Sequence, residues 1–406
     1  MRIVFTFPWA PQIPGGGPID YYQTAHYLRA AGAEIILLPI ASSGPSRFPR
    51  PRVSESLLHK WQKQDLLDKS VQVEHVPQNL FHYFLDGLSV RKALLKILAR
   101  ERVDAVLGWQ HDVAFLPPLL RSESVILGMI ASNGYFAEWY QNCSRLGRFL
   151  RNWMVVRPLR QADVVFARSN FMRKLVIDLF GLDSQRVSVS YCGVNPLFGK
   201  ARRHATEEIS KFFYFGCFSR EKGLFDALQA FGRVAAQGKQ NWTFKIAGWG
   251  DEEPVRHEAR ENGIADRIEV VGHLTQSDLL RELEWAHLAI LPSHGESFGF
   301  AFAEAQSSGL PVIGYEVGGV PEIVEHDVTG WLVPKGSVDG LAEKIVEAIF
   351  DPQKTFEMGL TGRERVNRLF SWSRTAEATL KKLEEIKAKY SAKDSGASSI
   401  ESIAAA

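Results

Sequence analysis

The sequence predicts an α/β protein built as two doubly wound domains in tandem, and three observations carry that. Short apolar runs alternate with amphipathic segments from end to end, each run near-continuously apolar as parallel strands covered on both faces are. The alternation breaks once, in the polar stretch 192–212, and a new strand follows it. At 406 residues the chain is too long for one ordinary core.

The elements follow in order. In the first half, strands are expected over 2–7, 33–40, 104–109, 124–131, 162–169 and 186–191, with helices at 19–31, 89–101, 145–162 and 170–180 between them. The second half repeats the pattern. Strands are expected over 211–218, 242–250, 267–274, 286–293, 310–319 and 330–334, with helices at about 222–236, 252–263, 276–285, 299–308 and 337–350. The segment "FSWSRTAEATLKKLEEIKAKY" reads as a long helix, because Trp372, Ala376, Leu380, Leu383 and Ile386 recur three or four apart. Residues 391–406 hold too little apolar material to pack and read as a flexible tail.

Composition narrows the class. With 45% hydrophobic and 23% charged residues, this is an ordinary soluble globular chain. Its longest apolar runs are about eight residues, short of the roughly 18 that span a bilayer. The start, "MRIVFTFPWAPQIPGGG", reads as a buried strand and a loop rather than a signal peptide. Cys143, Cys192 and Cys217 have neither metal-ligand spacing nor an even count, so a reducing cytosol is the expected home. Charge is uneven. Residues 1–195 carry 23 Lys and Arg against 15 Asp and Glu, about +8, and the remainder is about −6. Either the first half meets an acidic partner or two domains simply differ.

Open parallel sheets bind ligands at the carboxyl ends of their strands, so two such sheets point to a crevice between them. The stretch "SHGESFGFAFAEAQSSGLPVIGYEVGGVPEIVEHDVTGWLV" leaves one strand end and carries Glu296 in a loop and Glu304 in a helix. Ser297 is expected to cap that helix, near Phe298 or Gly299. Eight helical residues span about 12 Å. That exceeds the roughly 5–9.5 Å between paired acids of glycoside hydrolases. The two acids therefore suit separated parts of one extended ligand, unless Glu304 is merely solvated. Carboxylates accept paired hydrogen bonds from vicinal hydroxyls, and the amides of Phe298, Gly299 and Phe300 add donors for sugar or phosphate. A nucleotide-sugar fits both.

This stretch resembles the signature of glycosyltransferase family 4, retaining enzymes of the GT-B fold. Their pattern is a Glu, seven residues and a second Glu, then "G-x-P-V-I" and "G-G-V-P-E-I-V…G-x-x-V"; here it is Glu296, Glu304 and "GLPVIGYEVGGVPEIVEHDVTGWLV". The segments "PGGGPIDYYQTAHYLRAAGAEI", "RSNFMRKLVIDLFGLDSQRVSVSYCGVNPLF", "FSREKGLFDALQAF", "IAGWGDEEP" and "VVGHLTQSDLLREL" resemble further family elements in order. The resemblance implies two Rossmann-like domains facing a central cleft, with the C-terminal helix packing back on the N-domain. Residues 1–195 with helix 372–390 would form the acceptor domain, 196–371 the nucleotide-sugar domain and 391–406 the tail.

The resemblance also implies roles. Glu304 would bind the ribose. Glu296 would lie beside the donor sugar, with Ser297, Phe298, Gly299 and Phe300 around it. Gly248 and the backbone of Gly272, His273 and Leu274 would complete the donor site. Lys222 matches the family's diphosphate lysine. The family's arginine position is Cys217, and Arg220, three residues on, is the substitute cation. Gly16 and Gly17, in "PGGGP", offer amides for phosphate or acceptor, or form a plain connection. The family's N-domain histidine corresponds to Asn133; His111, in "GWQHDVAF" beside Asp112, is the other candidate, catalytic or structural. Glu322 is either an acid near the ribose or structural, and His294 reads as a loop residue. The candidate catalytic set is Glu296, Lys222, Arg220, His111 and Asn133.

A departing nucleoside diphosphate develops negative charge that preorganised cations and amides stabilise. No metal, no other cofactor and no nucleic-acid partner is expected. The basic segment "SRLGRFLRNWMVVRPLRQ" either docks on anionic lipid or packs between elements. The expected function is retaining transfer of a hexose from a UDP- or GDP-sugar to a glycan or lipid-linked acceptor, in polysaccharide or glycolipid synthesis. Such an enzyme would be cytoplasmic or peripheral at the inner face of the plasma membrane. The alternative, motivated by Cys217 and Asn133, is a nucleotide-sugar-binding protein without turnover. A third is another GT-B enzyme, such as an epimerase or phosphorylase, although a pyridoxal-lysine context is lacking.

Overall fold

The computed structural model describes residues 1–7, 16–41, 72–73, 76–77, 82–132, 140–238 and 241–404. The chain divides into two compact units. Unit 1 comprises the described residues of Met1–Ser132, Phe136–Cys192 and Trp372–Ala406, and unit 2 comprises Gly193–Ser371.

Unit 1 is a parallel sheet. Its strands are β1 (Arg2–Phe7), β2 (Glu34–Ala41), β3 (Gln72–Val73), β4 (Val76–Pro77), β5 (Ala105–Gly108), β6 (Ile126–Ala131), β7 (Val164–Ala167) and β8 (Val187–Val189). The order is β3-β2-β1-β5-β6-β7-β8, with β4 also pairing β2. Successive side chains of a strand point to opposite faces. Val4, Leu38, Val106 and Leu127 therefore pack with Val90, Leu94, Met172 and Val176 of helices His82–Leu98 and Asn170–Phe180. Ile3, Phe5, Leu107 and Ile130 pack on the other face, with Tyr21, Ala25 and Leu28 of helix Gly16–Ala30 and with Ala376 and Leu383.

Those last two residues belong to helix Trp372–Ala404. Polar ties fix it: Thr375 Oγ1 donates to the Tyr191 carbonyl at 2.6 Å, Thr379 Oγ1 meets Ser190 Oγ at 3.2 Å, and Lys387 pairs with Asp104 at 2.7 Å. Beneath it, Arg168 and Asp20 form a fully buried ion pair at 2.6 Å, and Arg168 also donates to the Ser190 carbonyl at 3.0 Å. The helix runs on to Ala404, where the sequence predicted a tail from 391. Alanine, lysine and glutamate are good helix formers and no proline interrupts the segment.

Unit 2 is a second parallel sheet, of β9 (Lys211–Cys217), β10 (Thr243–Trp249), β11 (Ile268–Gly272), β12 (Leu288–Leu291), β13 (Val312–Tyr315) and β14 (Gly330–Val333). Its order is β11-β10-β9-β12-β13-β14. The first strand thus lies mid-sheet, and the order in which strands are added reverses between the parallel neighbours β9 and β12. In open parallel sheets the carboxyl ends of strands at such a switch point are where ligands bind.

Other stretches also differ from the prediction, two helical ones among them. The helix expected over 145–162 is α-helical at Arg145–Arg151, widens to a π turn at Asn152–Val156 and resumes as α at Arg157–Gln161. Pro158 has no N–H to bond the turn before it, and the π turn absorbs that loss. Helix Pro352–Leu369 was not predicted at all. Its buried stripe is Thr355, Met358, Gly359, Gly362 and Val366, so small residues hide the apolar period.

Candidate active site

The candidate residues of unit 2 lie at or after the carboxyl ends of its strands, Lys222 and Glu296 on the loops at the β9/β12 reversal. After β9 the chain makes a turn through Phe218–Gly223 before helix Leu224–Ala236. After β12 it makes the loop 292–299 before helix Phe300–Ser307. The two loops touch. The His294 amide donates to the Glu221 carbonyl at 2.8 Å, and Gly223 lies so near Pro292 that a Cβ would stand 1.8 Å from the proline carbonyl oxygen. Gly223 also has φ of 71°, in the left-handed region. On the other side, the Gly319 amide donates to the Glu296 carbonyl at 3.0 Å, and a Cβ on Gly318 would come within 1.9 Å of that oxygen. Backbone on both flanks thus brackets Glu296.

This bracketing brings two of the candidate residues together. Lys222 Nζ lies 2.6 Å from Glu296 Oε1, with 34% and 16% of the side chains exposed. The carboxyl group of Glu304, one turn into the helix, has no hydrogen-bond or ion-pair partner among the described residues. Some of its surface stays accessible, yet protein walls its carboxyl on most sides, and this desolvation pushes its pKa up to about 8. An acid held this way lacks a donor to satisfy it.

The helix start differs from the prediction. The N-cap is Gly299, with φ of 103°, and no side chain caps the first turn. Ser297 lies two residues too early, because the left-handed turn at Gly299 delays the helix to Phe300. Phe298 is buried, with its ring 5.4 Å from those of Phe300 and Phe370. Arg220 is exposed, with its guanidinium 5.0 Å above the Phe225 ring. Cys217 ends β9, and burial pushes its thiol pKa up, so it stays uncharged and cannot stand in for arginine. Gly248 lies near the end of β10, Gly272 ends β11, and His273 and Leu274 follow it, the first exposed and the second half-buried.

The remaining candidates belong to unit 1. Gly16 and Gly17 open helix Gly16–Ala30. His111 follows β5 in a short 3-10 turn, 3% exposed, with Nε2 3.0 Å from Oδ2 of the buried Asp86. Its neighbour Asp112 accepts from the amide of Trp109 at 3.1 Å and from Thr6 Oγ1. Asn133 lies outside the described residues. Among the described residues, no three His, Cys, Asp or Glu side chains gather as metal ligands would. Sequence reasoning missed Asp226 and Tyr315, which meet His294 beside this loop. Neither carries a local signal, since their proximity exists only once β9, β12 and β13 are side by side.

Comparison with known proteins agrees with this architecture. Residues 14–197 match the family described as Glycosyltransferase Family 4, and residues 200–365 match Glycosyl transferases group 1. Glycogen synthase of Mycobacterium tuberculosis (strain ATCC 25618 / H37Rv) is 25% identical over 93% of this chain and 93% of its own. The GDP-mannose-dependent alpha-(1-6)-phosphatidylinositol monomannoside mannosyltransferase of the same strain is 24% identical over 78% of this chain and 86% of its own. Among solved structures, sucrose-phosphate synthase from Thermosynechococcus elongatus superposes with a TM-score of 0.77 at 19% identity, covering 96% of this chain and 99% of that one. Anabaena HepE in complex with UDP-glucose superposes with a TM-score of 0.73 at 18% identity, covering 95% and 100%. Two parallel Rossmann-like sheets, a helix that returns to the first unit, and consecutive family matches from residue 14 to residue 365 lead to one assignment: the chain belongs to the glycosyltransferases of the GT-B fold.

Proposed function

We propose that this glycosyltransferase takes a hexose from a UDP- or GDP-sugar and passes it, with retention, to a glycan or lipid-linked acceptor in cell-surface polysaccharide or glycolipid synthesis. One observation carries the donor half of this reading. At the sheet reversal of unit 2, the Lys222–Glu296 ion pair and the unpaired Glu304 stand around an uncapped helix start. Glu304, lacking a donor, suits the vicinal hydroxyls of a ribose. Lys222 carries the positive charge that a departing diphosphate needs, and Arg220 is the nearby exposed cation. Glu296, with the amides from Phe298 to Phe300, suits the hydroxyls of the transferred sugar. Gly16 and Gly17 are the unit 1 residues proposed for phosphate or acceptor, and His111 and Asn133 are the acceptor-side candidates.

The test is a thermal-shift panel with UDP, GDP, ADP and their sugar conjugates, since a ligand that binds the native state raises its stability. One nucleotide class should raise Tm. Slow hydrolysis of the matching sugar conjugate should fall about 10²- to 10³-fold in Lys222→Ala. No shift with any conjugate would end the reading. The neutral Cys217 favours a second reading, a nucleotide-sugar binder without turnover; tight binding with no hydrolysis and no transfer would select it.

The acceptor half rests on a surface of unit 1. Helix Arg145–Arg151 buries none of its residues, and Leu146 and Phe149 are 68% and 66% exposed beside Arg145 and Arg148. No acidic residue occurs from Trp139 to Ala162. No described helix is long and apolar enough to cross a membrane. Basic residues beside exposed apolar ones suit the surface of an anionic bilayer, consistent with a lipid-linked acceptor. Sedimentation with phosphatidylglycerol vesicles should carry the protein down at low salt, and Leu146→Ser with Phe149→Ser should abolish it. Equal sedimentation of the two proteins would remove the surface from the proposal.

A further inference from the structure

His294 precedes Glu296 by two residues, yet its ring serves none of the roles above. Its Nε2 lies 3.0 Å from Oδ2 of Asp226, and the Tyr315 hydroxyl donates to the same oxygen at 2.7 Å. The rings of His294 and Tyr315 meet edge-on, 5.3 Å apart. Asp226 lies in the first turn of the helix that follows Lys222, and the wholly buried Tyr315 ends β13. Three elements that meet only in the folded sheet, the β9–helix junction, the β12 loop and β13, are therefore joined through one carboxylate.

The hydrogen placement follows from chemistry. Burial and the contact with Asp226 raise the Tyr315 hydroxyl well above the usual phenol range, so it stays a donor. A carboxylate only accepts, so the imidazole nitrogen facing it carries the hydrogen. That fixes the neutral ring as its Nε2–H tautomer and sets the ring's orientation.

The geometry points to His294 as a positioning residue: clamped by Asp226 and Tyr315, it holds Glu296 in register with Lys222. This inference rests on the donor-site reading above. The Lys222–Glu296 pair is too weak to set that register alone. It joins two long, partly exposed side chains, and such pairs gain little while losing rotamer freedom. The loop's ties across the sheet reversal come instead from its own start. His294 N and Ser293 Oγ reach the Glu221 carbonyl at 2.8 and 3.4 Å, and the His294 ring reaches Asp226. The backbone ties set how closely the loops approach; the ring tie resists sliding or twisting of the segment that ends in Glu296. A displacement of ~1 Å at a reacting centre costs about 10²-fold in rate, so loss of the tie is measurable while the fold survives.

The experiment uses the full chain and whichever of UDP-glucose or GDP-mannose stabilises it. Steady-state hydrolysis is compared for the wild type, His294→Ala, His294→Gln, Asp226→Asn and the His294→Ala/Asp226→Asn double variant. The expectation for His294→Ala is a fall in kcat of about 10- to 100-fold, with KM for the donor within about threefold. Gln, whose side-chain N–H reaches where Nε2–H stood, should restore part of the rate. The double variant should be no slower than His294→Ala by more than about threefold, because partners in one contact are not additive. Thermal melts guard against misfolding, and His294→Gln, which keeps the donor, should melt within a few degrees of wild type. Wild-type kcat and KM in His294→Ala, or independent losses that multiply in the double variant, would overturn the inference and leave the donor site standing. A wild-type chain that neither binds nor hydrolyses any nucleotide-sugar would take both down.

Discussion

Glu304 is the residue whose environment makes the sharpest demand. Its pKa lies at about 8 in the folded chain against an ordinary 4.5, with burial as the cause. Between those values the native state holds a proton that the unfolded chain has released. More protons bound in the native state means stability falls as pH rises from about 4.5 to about 8, then levels off. Urea denaturation across that range should show this slope, and Glu304→Gln should flatten it. A ribose donating two hydroxyls favours the ionised form, so nucleotide binding below pH 8 should expel a proton. Affinity should then rise with pH by up to about tenfold per unit, measurable by calorimetry in two buffers of different ionisation enthalpy. That Lys222 and Glu296 lie on loops leaving strands and Glu304 in the helix that follows was legible in the sequence, because the apolar runs before them mark the strand ends. Asp226 and Tyr315 were not, since their contact with His294 depends on which strands become neighbours. The ionisation of Glu304 was hidden for the same reason, because desolvation is a property of the walls around a side chain.

At the level of elements, legibility followed the apolar period. Every strand expected in unit 2 formed, since buried parallel strands are continuous apolar runs. Helix Pro352–Leu369 escaped because its contact stripe is small rather than apolar. A Cβ on Gly359 would stand 2.3 Å from the Gly309 carbonyl oxygen, so the helix lies on the turn that ends Phe300–Ser307. Gly359→Leu should destabilise by about 1–3 kcal/mol through overpacking, read as a lower urea midpoint with unchanged slope. In unit 1, the Arg168–Asp20 pair ties helix Gly16–Ala30 to the end of β7. Asp20→Ala would strand a buried guanidinium and should cost about 3–5 kcal/mol. Replacing both partners with apolar residues of similar volume should cost less, because the unpaired charge is then gone.

For the whole molecule, the tandem plan was legible from the break at 192–212, and the return of the last helix to unit 1, expected from the family resemblance, is what the structure shows; the helix's apolar period alone does not name the face it covers. Ala376 and Leu383 complete one side of the first sheet. Removing residues 372–406 should uncover Tyr21, Leu28 and their neighbours and lower the melting transition of unit 1. Unit 2, which holds its sheet and helix Pro352–Leu369 within Gly193–Ser371, should keep its own. Two transitions in calorimetry, only the first displaced, is the expected result.

The same return gives the chain an order of birth. Domains usually settle in the sequence in which the ribosome releases them. Here the first domain to emerge must wait, one side of its sheet covered only in part by helix Gly16–Ala30, until the second has been translated in full. Stalled nascent chains ending shortly after Ser371 should therefore carry a protease-resistant second domain and a still-digestible first one, inverting the usual schedule.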